Sequence, residues 1–177
     1  PWVKVQGVYR LNRRLRHAPQ DGTVGFTQVG GAFRVIPALL GSLPLLRGFQ
    51  DEASLELLAD SFAQRQVAPG EVIVQAGQPA EHLFLVADGK AQKIQDGPYG
   101  DPVDLGTLAD GDHFGIESLR PGAGKAGVWA FTVRALTPGT LLTLPRTVFA
   151  QLVEDTPTLR EHLRSGAHPS RNADQNV

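Results

Sequence analysis

The 177-residue sequence contains neither cysteine nor methionine. Without cysteine, disulfides and thiolate metal sites are excluded, and the redox compartment cannot be read. The missing methionine, with Pro1 in first place, leads us to expect a piece of a longer polypeptide. No run approaches the ~18 apolar residues needed to span a bilayer, and no signal-peptide pattern is found. A charge excess is lacking too: 17 basic residues stand against 18 acidic ones, a net charge of -1. Nothing global therefore points to nucleic acid or to a membrane surface, and neither is expected as a partner. Lysine is scarce, 4 against 13 arginines, which reflects genome base composition as readily as function. Catalytic patterns are missing as well. The histidines His17, His82, His113, His162 and His168 show no paired ligand spacing, and no His-x-His with a following Glu occurs. Ser118 does not sit in a Gly-x-Ser-x-Gly elbow. No enzyme is expected.

What is abundant is glycine, 20 residues, set between short apolar runs. Val72–Val74, Leu83–Val86 and Ala91–Ile94 are separated by Gly70, Gly77, Gly89 and Gly97. That rhythm predicts many short strands joined by tight turns, a mainly β jelly-roll or barrel. It ends in His113-Phe114-Gly115-Ile116-Glu117-Ser118-Leu119, where a glycine leads into one helical turn. The first amides of such a turn have no intrahelical acceptor and can face an anion.

Along the chain, Trp2 to Arg16 alternates in part and carries Arg10, Arg13, Arg14 and Arg16, as an extended strand with a solvated basic face would. Val24–Val29, Gly30-Gly31 and Phe33–Ile36 predict a hairpin with a two-residue turn. Pro37–Phe49 suits short helical turns. Asp51–Gln66 has helical period, with Leu55, Leu58, Ala59 and Phe62 on one face and Asp51 or Glu52 at the N-terminus. Strands are expected from Val67 to about Leu142. Two short helices follow, at Pro145–Val153 and from Thr156-Pro157 to Leu163. Beyond Arg164 the sequence is polar and unpatterned.

The order Gly70-x-x-Ile73-x-x-x-Gly77, Leu83-Phe84-Leu85-Val86-x-x-Gly89, Gly111-Asp112-x-Phe114-Gly115 and Thr132-Val133-x-Ala135 resembles the cyclic nucleotide-binding domain family over roughly residues 45 to 165. The resemblance implies a jelly-roll barrel flanked by short helices, with a phosphate-binding cassette between two strands. Its ligand residues fall on Phe114, Gly115, Ile116, Glu117, Ser118, Trp129, Ala130 and Thr132. Pro1-Trp2-Val3 and Tyr9-Arg10-x-Asn12-Arg13-Arg14-Leu15 are similar to the extended-loop segment of family 2 encapsulin shell proteins, whose subfamily B carries such a domain as an insert. Gly97-Pro98-Tyr99-Gly100-Asp101 and Leu105 to Gly111 look like that insert. This second resemblance implies segments 1–36 (extended loop of a phage-capsid-like fold), 37–165 (inserted domain, displayed outside) and 166–177 (linker back). It also implies a homo-oligomeric icosahedral shell, a nanocompartment in the bacterial cytoplasm, enclosing a cargo enzyme. The first 36 residues are expected to project away from the barrel.

Two positions depart from the first family. Where it places a Glu that accepts the ribose 2′-hydroxyl, Ile116 stands; where it places an Arg that pairs with the cyclic phosphate, Trp129 stands. Losing a charge-assisted bond to a desolvated phosphate costs roughly 1.5–3 kcal/mol, and an unpaired buried anion costs more. The cassette is therefore read as degenerate. Cyclic AMP or another small ligand is expected to bind weakly, and no tightly held cofactor is expected. Glu117 is one residue late to replace the lost acceptor, Arg120 or Lys125 in the loop to Val128 offers a replacement cation, and Trp129 with Phe131 favours a flat ligand. A functional cyclic-nucleotide sensor is the alternative reading. A catabolite-activator-type factor would need a helix-turn-helix, which Pro157 to Val177 do not supply.

Overall fold

The computed structural model describes residues 24–119 and 127–166. Ten strands make one hairpin and two four-stranded antiparallel sheets, which face each other as a jelly-roll sandwich. The hairpin is β1 (Phe26–Val29) with β2 (Ala32–Val35), and Val29 pairs with Ala32 across the two-residue Gly30-Gly31 turn. The first sheet orders β3 (Ala63–Val67), β10 (Gly139–Pro145), β5 (His82–Asp88) and β8 (His113–Phe114). The second orders β4 (Val72–Val74), β9 (Thr132–Ala135), β6 (Ala91–Asp96) and β7 (Pro102–Leu108). Short 3-10 turns run over Pro37–Ser42, Pro44–Leu46 and Ile116–Leu119. The helices are α1 (Glu52–Asp60), α2 (Arg146–Asp155) and α3 (Pro157–Gly166).

Strand β5 shows why both of its faces are apolar. Phe84 and Val86 point between the sheets, where they join Ile73, Val74, Phe114, Trp129, Val133 and Leu141 in an inner core. Leu83, Leu85 and Ala87 point the other way, with Leu142 and Leu144 of β10, into an outer core covered by the helices and the hairpin. A strand buried on both faces reads as a continuous hydrophobic run, as Leu83–Ala87 does. Between β5 and β10 the chains approach closely: a Cβ added at Gly89 would stand 2.9 Å from Gly139 Cα, and one at Gly139 would stand 2.5 Å from the Asp88 carbonyl oxygen.

Two expectations are corrected here. Residues 24–36 do not project from the barrel: Val24, Phe26 and Val35 are buried in the outer core. The Val24 amide donates to the Gly111 carbonyl, and Phe33 N–H donates to Gln64 Oε1. Arg34 pairs with Glu56 at 2.6 Å and Asp60 at 3.0 Å on α1. The packing unit therefore begins by Val24 rather than at residue 37, because β1 and β2 put one apolar face toward the helices. Residues 1–23, with the Trp2 to Arg16 stretch, lie outside the described residues, as does the tail from 167.

The helix expected over Asp51–Gln66 ends at Asp60, and residues 63–67 form β3 instead. Asp51 caps the helix, accepting from the Ser54 amide, while Leu55, Leu58 and Ala59 bury the predicted face. Pairing with β10, where Gly139 faces Val67 and Thr143 faces Ala63, overrides the remaining helical period.

Candidate ligand-binding site

The cassette is made by β8, Gly115 and the 3-10 turn Ile116–Leu119. Gly115 has φ 92°, a left-handed conformation that side chains rarely adopt. A Cβ there would stand 2.4 Å from the His82 carbonyl oxygen and 2.6 Å from Cη2 of Trp129. The glycine thus lets the turn cross β5 and lets an indole lie against it. The turn closes on itself, since the Ser118 amide and hydroxyl both donate to the Gly115 carbonyl, at 3.0 and 2.6 Å.

The predicted site residues part company here. Phe114, Gly115, Ser118 and Trp129 are buried, Ile116 is half-buried, and Glu117 and Ala130 are exposed. Ile116 packs against the outer core, on the side of the helices. Trp129 packs in the inner core, its ring 6.1 Å from Phe84, 6.0 Å from Phe114 and 5.7 Å from Phe131. Phe84 and Phe114 stack at 4.8 Å beneath it. Main-chain bonds fix the tryptophan: its amide donates to Gln78 O, its carbonyl accepts from Gly77 N–H, and Val128 bridges Pro79. The Thr132 hydroxyl accepts from the Ala76 amide at 3.1 Å, which commits it to the same turn. Trp129 is thus a packed wall of the site, 7 % exposed. Arg120 and Lys125 lie outside the described residues.

Lys93 escaped the sequence reading. It lies two residues from buried Ala91 on β6, opposite Val133, and so shares the inward face. Its ammonium sits 4.1 Å from the centroid of the Phe131 ring, a cation–π contact that leaves it at the cassette end of the barrel. The alternation Ala91-x-Lys93 was the available signal. His113 lies nearby with its pKa lowered. Burial is the main cause and Lys93 adds to it, while Asp112 and Glu117 oppose it. Its Nδ1 is buried without a hydrogen-bond partner among the described residues.

Comparison with known proteins now bears on this geometry. The cyclic nucleotide-binding domain family matches residues 64–156, slightly more than half of the sequence. The chain belongs to that family. An uncharacterised NTE family protein of Mycobacterium bovis is 29% identical over 121 residues, 68% of this chain and 19% of its own length. A cyclic nucleotide-gated potassium channel of Mesorhizobium japonicum is 28% identical over 135 residues, 76% of this chain and 35% of that protein. The chain thus spans about a fifth of the mycobacterial relative. Among solved structures, the catabolite activator protein of Thermus thermophilus superposes with a TM-score of 0.56 at 28% identity, covering 75% of this chain and 60% of that one. The N-terminal domain of a Streptomyces coelicolor transcriptional regulator gives 0.62 at 24% identity, covering 75% and 91%, and shares the fold.

Proposed function

We propose that this cyclic nucleotide-binding domain is an externally displayed insert of a self-assembling family 2 encapsulin shell protein, with a cassette that no longer holds a cyclic nucleotide. The observation that carries the degenerate cassette is the place of Trp129. Its indole lies on Gly115 within the inner core, where the family pattern requires a cation, and Ile116 turns to the outer core where the pattern requires a ribose acceptor. The shell reading rests on the similarity of Pro1–Val3 and Tyr9–Leu15 to the encapsulin extended loop, and of Gly97–Asp101 and Leu105–Gly111 to its insert. On this reading the protein assembles with copies of itself in the bacterial cytoplasm, encloses a cargo enzyme, and does no chemistry of its own. Native mass measurement and electron microscopy of the full-length parent test it. Closed shells are expected, and a monomer in solution overturns it.

The second reading is a functional cyclic-nucleotide sensor module that regulates a parent protein, and the 28% identity to the cyclic nucleotide-gated potassium channel favours it. Calorimetry with cyclic AMP and cyclic GMP separates an intact cassette from a degenerate one. Two lost charge-assisted contacts take a micromolar site to roughly millimolar or weaker, at about 1.4 kcal/mol per tenfold. Binding near a micromolar would show that another cation, Lys93 first among the described residues, has taken the role of the missing arginine. Lys93→Gln would then abolish it.

A further inference from the structure

The second sheet ends in an open edge. Strand β7 pairs with β6 alone, and residues 102–107 are all exposed. The outward N–H and C=O groups of such a strand are a template for one more strand. Beyond Leu105 the template closes, because the register shifts at a bulge and the Gly106 amide donates to Asp104 Oδ1 at 2.8 Å. The open stretch is therefore residues 102–105. Cross-strand partners share a face, so Asp104, opposite Ile94, looks outward together with Asp96, opposite Pro102. Val103, opposite Gln95, lies on the inward face in line with buried Ala91. The edge thus offers an acidic outer face and an apolar inner one. Asp96, Asp101 and Asp104 are exposed and form no ion pair among the described residues.

The chain itself carries a segment of matching pattern, and that segment enters beside this edge. The Val24 amide donates to the carbonyl of Gly111, a short step past the end of β7 at Leu108. Residues 15–23 reach up to about 30 Å when extended, more than the length of a seven-residue strand such as β7. In residues 9–15 one face of an extended chain carries Tyr9, Leu11, Arg13 and Leu15, and the other carries Arg10, Asn12 and Arg14. No acidic residue precedes Asp21. Laid parallel to β7, so that the chain runs on toward Gly111 without reversing, the segment brings its tyrosine and leucines to the side of Val103. Arg10 and Arg14 then stand beside Asp96 and Asp104. Charge also selects the occupant, since a second copy of the same edge would set aspartate against aspartate, while a tethered basic strand meets opposite charge at high effective concentration. We propose that residues 9–15 add to the β7 edge of their own chain as a fifth strand of the second sheet. The inference stands apart from the shell reading, because a monomer and a shell subunit each contain both partners.

Because the 177-residue chain has no cysteine, disulfide trapping tests this without background. Val103→Cys is combined with Leu11→Cys or with Arg13→Cys and oxidised mildly. At least one pair is expected to close within the chain about tenfold faster than the same arm cysteine closes with Leu57→Cys, an exposed position on α1. Adding Asp96→Asn and Asp104→Asn, or raising the salt to about 1 M, is expected to slow the closure. Closure no faster than with Leu57→Cys, or disulfides that join two chains, would overturn the proposal. Hydrogen exchange on the unaltered protein decides the matter even if the variants fail to fold. The amides of residues 10–14 are expected to exchange at least about tenfold more slowly than in an unfolded chain, and exchange at the unfolded rate would overturn the fifth strand.

Discussion

Strand β5 feeds two cores from its opposite faces, and the two differ in chemistry. The outer core is largely aliphatic: Leu40, Leu43, Leu46, Leu83, Leu85 and Leu144 pack with Val35 beneath the hairpin and helices. The inner core holds the aromatic cluster of Phe84, Phe114 and Trp129. Two positions where the resemblance implies a polar ligand residue pack into them, Ile116 against the outer core and Trp129 in the inner.

Matched truncations break the comparison most severely. Trp129→Ala removes the largest side chain of the inner core and is expected to cost about 3–5 kcal/mol, while Leu85→Ala in the outer core costs about 2–5 kcal/mol. Urea denaturation of each variant measures both. If Trp129→Ala leaves the stability unchanged, the indole is a ligand-facing lid rather than part of the core. Gly115→Ala sharpens the link between the cores, since Gly115 lies between Trp129 and the His82 carbonyl. The left-handed backbone alone costs about 1–3 kcal/mol. The added methyl group must also displace a backbone carbonyl, so the loss should exceed that of Gly70→Ala, where φ is 83° and no atom lies within 4 Å of the new Cβ.

Much of this architecture was legible in the sequence, for reasons that differ by element. The Gly30-Gly31 hairpin was readable because its turn is local, and β5 because a doubly buried strand leaves a continuous apolar run. The end of α1 was not, since Phe62 continues the helical period and only the distant pairing of β3 with β10 breaks it. The docking of residues 24–36 was hidden for a similar reason: Arg34 looks like solvent-facing charge until Glu56 and Asp60 on α1 stand opposite it. At the site, the order Phe114-Gly115 located the turn. The direction taken by each side chain could not be read, because Ile116 and Trp129 look alike as losses of charge and yet go to opposite cores.

The smallest expected effect concerns how the helical cap is tied down on the outer core. Asp51 accepts from the Ser54 hydroxyl at 2.7 Å and from the Thr158 hydroxyl at 2.6 Å, joining the start of α1 to the start of α3. These hydrogen bonds, Thr158 first, favour the charged carboxylate and hold its pKa below the ordinary value of 3.8. A carboxyl whose folded pKa is depressed contributes stability that is fully present above its unfolded pKa and is lost as the pH falls through the folded one. Between neutral pH and about pH 5 the contribution is therefore constant, and it fades below about pH 4. Asp51→Asn keeps an oxygen for the cap but removes the charge, so the variant should be slightly less stable than the parent at neutral pH and converge with it in acid. Thermal midpoints measured from pH 7 down to pH 3 follow this. A difference that stays constant across that range would show that Asp51 acts only as a neutral cap and that its charge does not tie α1 to α3.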